Sequence, residues 1–68
     1  MRALTPNQRV LLRHAVISGE KGTLVSGPSA WLTANSLVRR GLVRVKASKY
    51  GSRIIATAAG IELLKRLP

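Results

Sequence analysis

The sequence contains no cysteine and a single histidine, His14. Disulfides, thiol catalysis and Cys/His zinc sites are excluded together. Phenylalanine is absent as well, and Trp31 and Tyr50 are the only aromatic residues. Two are too few for the stacking platforms that hold single-stranded nucleic acids. Acidic residues are almost missing: Glu20 and Glu62 stand alone, far apart in the sequence. A pair of carboxylates for general acid–base work is therefore not offered by any local motif. The chain is expected to be no enzyme and to carry neither metal nor cofactor. Gly19, Gly22 and Gly27 lack the Lys-Ser or Lys-Thr ending of a phosphate-binding loop. The apolar run at 10–17 is interrupted by Arg13 and His14, so it makes a poor signal-peptide core and is far too short to span a bilayer. A cytoplasmic location is expected.

What is present is positive charge on a chain that can fold. Twelve Lys and Arg against two Glu give a formal net charge of +10. Solubility alone is normally reached with mixed signs and a net charge of about 2 to 8. The excess points to a polyanion, with nucleic acid ahead of a membrane surface or an acidic protein. Apolar residues make up 46% of the 68 residues, which separates the chain from disordered basic tails. The length is that of one domain, 1–68, near the lower limit for a self-sufficient core.

Local signals predict the order helix, strand, helix, hairpin, helix. Thr5 can cap a first helix, Pro6 suits its first position, and Gln8 completes a capping box. That helix runs to about Ser18 and stops at Gly19. Leu11, Leu12 and Ala15 share one face with Val16 at its edge, while Arg9 and Arg13 form a narrow basic stripe. Val10, His14 and Ile17 make a second, partly apolar face. It is either buried between two layers or the seam of a weak homodimer. The stretch 19–27 is too rich in glycine for a helix, and Thr23, Leu24 and Val25 within it read as a short strand. Pro28 opens a second helix, preceded by Ser26 or Gly27, with Ala30, Trp31, Ala34, Leu37 and Val38 on its apolar face and Gly41 at its end. Residues 42–45 read as a strand, 46–53 as a basic hairpin tip around Tyr50 and Gly51, and 54–56 as the return strand. Thr57 can cap a third helix carrying Ile61, Leu64 and Leu67. The class is α+β, three helices with a small antiparallel sheet.

Opposite the apolar face of the second helix, Ser29, Thr33, Ser36 and Arg40 fall on one side at spacings of four, three and four. Asn35 and Arg39 flank them, and Leu32 lies within the exposed arc. Solvated helix faces usually mix Glu with Lys, but this one has no acid. Arg and Asn hydrogen-bond base edges in a major groove, short hydroxylated side chains allow close approach, and Leu32 suits a thymine methyl. Arg44, Lys46, Lys49, Tyr50 and Arg53 follow on the hairpin, in reach of phosphates or a narrow minor groove. Helix and hairpin, joined through Gly41, are expected to offer their charge to the same side.

The segments Leu37-Val38-Arg39-Arg40-Gly41-Leu42-Val43 and Ala56-Thr57-Ala58-Ala59-Gly60, with Leu63-Leu64, resemble the helix-to-wing region of winged helix-turn-helix proteins. The likeness is to MarR-type regulators, and it covers residues 29–64. It implies a compact winged helix in which residues 28–40 enter the major groove and 46–53 contact the neighbouring backbone. Two departures limit what carries over. The glycine-rich stretch 19–27 stands where the helix before the recognition helix is usual, and Lys49-Tyr50-Gly51-Ser52-Arg53 replaces the acidic-basic wing tip. No segment reads as the long flanking helices of the family's dimer and ligand pocket, so ligand-responsive repression is not expected. The function expected is double-stranded DNA binding by a small transcriptional regulator or a phage or mobile-element accessory protein. The alternatives are an RNA-binding winged helix and a module that binds an acidic host or polymerase protein.

Overall fold

The structure, a computed structural model, describes residues 4–49 and 51–66. Its elements are α1 (Pro6–Ser18), a single 3-10 turn (Gly19–Lys21), β1 (Thr23–Leu24), α2 (Pro28–Arg39), β2 (Val43–Ser48), β3 (Gly51–Ala56) and α3 (Ala58–Arg66). The α+β class and the order of the main elements are those read from the sequence. The three strands form one antiparallel sheet in the order β1-β3-β2. None of the helices among the described residues is long and apolar enough to cross a membrane.

Helix α1 starts where its cap dictates. The Gln8 amide N–H donates to the Thr5 hydroxyl at 3.2 Å, and the Gln8 side-chain oxygen accepts from the Thr5 N–H at 3.0 Å. This reciprocal box satisfies two otherwise orphaned donors. Replacing Thr5 with Ala is expected to cost about 1 kcal/mol. In a domain of this size that lowers the melting temperature by roughly 4–8 °C, readable by thermal circular dichroism. An unchanged melt would mean the cap contributes nothing to the folded state.

The core gathers Leu12 and Ala15 from α1, Val25, Ala34 and Leu37 from α2 and its approach, Leu42 and Val43, and Ile54 of the central strand. Trp31 packs against this cluster rather than standing free. Two features of α3 differ from the expectation. Its inner face is Gly60 with the half-buried Leu63 and Leu64, whereas Ile61 is 37% exposed; Leu67 lies outside the described residues. Gly60 takes the inner position because α3 crosses the Leu42 backbone at a distance that leaves no room for a side chain.

The strands also run further than their sequence suggests. The ladder pairs Val43 with Ala56 and continues through Lys46–Arg53 to Ser48–Gly51. Most of the basic segment is therefore paired strand, not loop. Lys-Ala-Ser and Gly-Ser-Arg carry little β preference of their own, but a two-residue connection carries the register to the tip. Conversely β1 is shorter than the three residues expected. Val25 falls outside it, although the Val25 N–H still donates to the Ser52 carbonyl at 3.2 Å.

Candidate nucleic-acid interface

The end of α2 sets the geometry of the site. Gly41 adopts φ +72°, its N–H donates to the Val38 carbonyl at 2.9 Å, and the Leu42 N–H donates to the Leu37 carbonyl at 3.0 Å. These two bonds are the Schellman arrangement, which requires a left-handed residue that glycine supplies without strain. The buried pair Leu37 and Leu42 provides the accompanying apolar contact. Thr57 then ties the far side of the hairpin to the same turn. Its hydroxyl donates to the Gly41 carbonyl at 2.6 Å and accepts from the Gly60 N–H at 3.2 Å, while its own N–H reaches the Leu42 carbonyl at 2.9 Å. One threonine thus fixes the end of α2, the root of the hairpin and the start of α3 against each other.

The exposed arc of α2 is rotated from the one expected. Pro28, Leu32, Asn35 and Arg39 face solvent, with Ser29 beside them, and Leu32 is 74% exposed. Thr33, Ser36 and Arg40 are half-buried instead. For Thr33 and Ser36 the cause is α1, which lies along that edge. The Gln8 side-chain N–H donates to the Ser36 hydroxyl at 2.5 Å across the helix pair. A shallow groove of about 410 Å³ next to it is lined by Val10, Leu11 and His14 of α1 with Ser29, Ala30 and Thr33 of α2. Thr33 also spends its hydroxyl on the Ser29 carbonyl at 3.3 Å. Ser36 and Thr33 therefore position the helix, and the outward polar groups are Ser29, Asn35 and Arg39. Spacing gave the polar half of α2 correctly but not which edge of it a neighbouring helix would occupy.

On the hairpin, register decides which side chains share a face. Pairing of Arg44 with Ile55 and of Lys46 with Arg53 puts these four on one side of the sheet, and Val43, Val45 and Ile54 on the other. The second side carries the buried Val43 and Ile54, so Arg44 and Lys46 project from the face opposite the helices. A groove there, about 470 Å³, is lined by Glu20, Arg44, Val45, Lys46 and Ile55. The exposed positive charge of helix and hairpin is thus carried by the α2 arc, the hairpin turn and the outer sheet face. Arg53 has a second role. Like charges directly opposite one another repel, and the Arg53 guanidinium turns away from Lys46 to donate to the Gly22 carbonyl at 3.3 Å. It is half-buried and serves to hold β1 to the sheet. Lys49 is exposed at the turn, where Ser48 bonds the Gly51 carbonyl. Tyr50 lies outside the described residues. Arg39, Arg44, Lys46 and Lys49 make no ion pair among the described residues, so their charge is available to an external anion.

Helix α1 leaves a second surface open. Val10 is 53% and Ile17 76% exposed, with His14 exposed between them. The alternative in which this face is buried between two layers of the chain does not hold.

No family model matches the sequence, and no curated protein or solved structure shows significant similarity to it.

Proposed function

We propose that the chain is a small winged-helix module that binds double-stranded DNA in the cytoplasm, without chemistry of its own, as a transcriptional regulator or a phage or mobile-element accessory protein. The observation that carries this reading is an acid-free exposed helix arc followed, through a rigid glycine turn, by a basic hairpin. The α2 arc of Ser29, Leu32, Asn35 and Arg39 enters the major groove. Lys49 at the hairpin turn, with Lys46 and Arg44 behind it, neutralises backbone phosphates. About half to two-thirds of protein–DNA hydrogen bonds go to phosphate and sugar, and exposed Lys and Arg side chains are among the groups that make them. Titration of a fluorescent random-sequence duplex with the protein at low salt tests it. Saturable binding is expected, and no detectable binding to any duplex overturns the proposal.

Two copies are proposed to meet weakly through Val10, His14 and Ile17 of α1. The apolar residues involved are few, and each copy carries a formal charge of +10. The seam is far smaller than the roughly 1,200 Å² of a stable interface. The expected result is a monomer in free solution and a dimer on a duplex long enough for two copies, seen by sedimentation at several protein concentrations. Strictly independent binding of the two copies, unaffected by Ile17→Glu, would refute the seam.

A further inference from the structure

We propose that α2 reads an A·T base pair through Leu32 and Asn35, and a G·C pair two to three base pairs away through Arg39. The inference rests on the duplex-binding function above and adds its sequence preference. A single exposed leucine is ordinary on a protein surface. Leu32 differs by where it stands. Its neighbours one turn away along the helix surface are Pro28, Ser29, Asn35 and Ser36, none of them long or acidic, so the leucine projects beyond them. Low neighbours let the helix backbone come close to a groove floor, and a branched aliphatic tip at that depth meets the one apolar group the major groove offers, the thymine 5-methyl.

Asn35 lies three residues on, about 4.5 Å further along the axis. It is exposed and makes no side-chain hydrogen bond among the described residues. Its carboxamide can donate to adenine N7 and accept from the adenine N6 amino group, the bidentate pattern specific to that base. The separation along the helix is close to one base-pair step, so a methyl contact at Leu32 and an adenine contact at Asn35 fit the same or adjacent A·T pairs. Arg39 is exposed one further turn away, in the last turn of α2, with a guanidinium that matches guanine O6 and N7. Ser36 does not compete for a base, because Gln8 of α1 holds its hydroxyl. Burial of Ala34 and Leu37 sets the roll of α2 about its axis and turns the Leu32–Asn35–Arg39 line outward, and the Gln8–Ser36 bond is consistent with that roll.

Selection of bound duplexes from a random library, followed by replacement of each thymine in the selected site with uracil, tests the inference. Uracil pairs as thymine does and lacks only the methyl. The expected result is a preference for one A·T pair with a G·C pair nearby. One uracil position should weaken binding roughly fourfold, the affinity equivalent of one methyl group kept from water. That penalty should vanish in Leu32→Ala, whose melting temperature should match the parent because Leu32 is outside the core. Asn35→Ala should lose the A·T preference while keeping binding to random duplex. Salt-dependent duplex binding with no selected preference, or a uracil penalty that persists in Leu32→Ala, overturns the base-reading inference and leaves the function standing. Absence of any duplex binding overturns both.

Discussion

Gly60→Ala is expected to unfold the protein substantially, against the ordinary effect of such a change. In a helix interior, alanine is favoured over glycine by about 1 kcal/mol, because it loses less backbone entropy on folding. Gly60 sits within α3, so propensity alone forecasts a gain. The packing forecasts the reverse. A Cβ at this position would fall well inside van der Waals distance of the Leu42 carbonyl oxygen and 3.1 Å from Leu12 Cδ1. Neither can yield cheaply. Leu12 is fully buried, and Leu42 is held on both sides, its N–H by the Leu37 carbonyl and its carbonyl by the Thr57 N–H. Relief requires α3 to lift away from the turn that joins α2 to the hairpin. Overpacking of this kind costs on the order of 3 kcal/mol. In a small domain that corresponds to a fall of roughly 12–24 °C in melting temperature. Ala59→Gly, on the exposed side of the same helix, should cost only about 1 kcal/mol. If Gly60→Ala raised the melting temperature, α3 would not cross the Leu42 backbone as described.

The elements of this fold were legible wherever a local rule terminates a segment. Thr5 and Gln8 start α1 through their reciprocal side-chain caps, and Pro28 starts α2 through its fixed φ. Gly41 ends α2 through two backbone bonds, and the Thr57 hydroxyl caps α3, each within a few residues. What was not legible depends on residues that meet across the fold. Gln8 and Ser36 are 28 positions apart and Arg53 and Gly22 are 31. No helical spacing discloses that either pair touches. Ser36 and Arg53 consequently read as candidate DNA contacts, although both are engaged inside the molecule. The extension of β2 and β3 into the basic segment is a further case, since register carries pairing into residues with weak strand preference. Leu32 and Asn35 were legible as exposed because the helical period alone places them away from Ala34 and Leu37.

Affinity for random duplex DNA should fall about a thousandfold between roughly 50 and 200 mM salt, if about six phosphates are contacted. Each neutralised phosphate releases condensed counterions, so the log–log slope should lie near −5. The hairpin should supply part of that slope without reading sequence. Lys46 and Lys49 are exposed, remote from the core and without an ion-pair partner among the described residues, so replacing both with Ala should leave the melt unchanged. Random and preferred duplexes should weaken by similar factors, and the slope should flatten by about 2. Arg53 is unsuited to this experiment, because losing its bond to the Gly22 carbonyl would loosen β1 and mix stability with binding. Asn35→Ala should behave oppositely, narrowing the gap between preferred and random sites by about tenfold to hundredfold with the slope unchanged. The two slopes therefore separate backbone contact from base contact, whatever the target sequence. A double lysine variant that changed sequence preference while the helix variant did not would make the hairpin the reader and α2 the support.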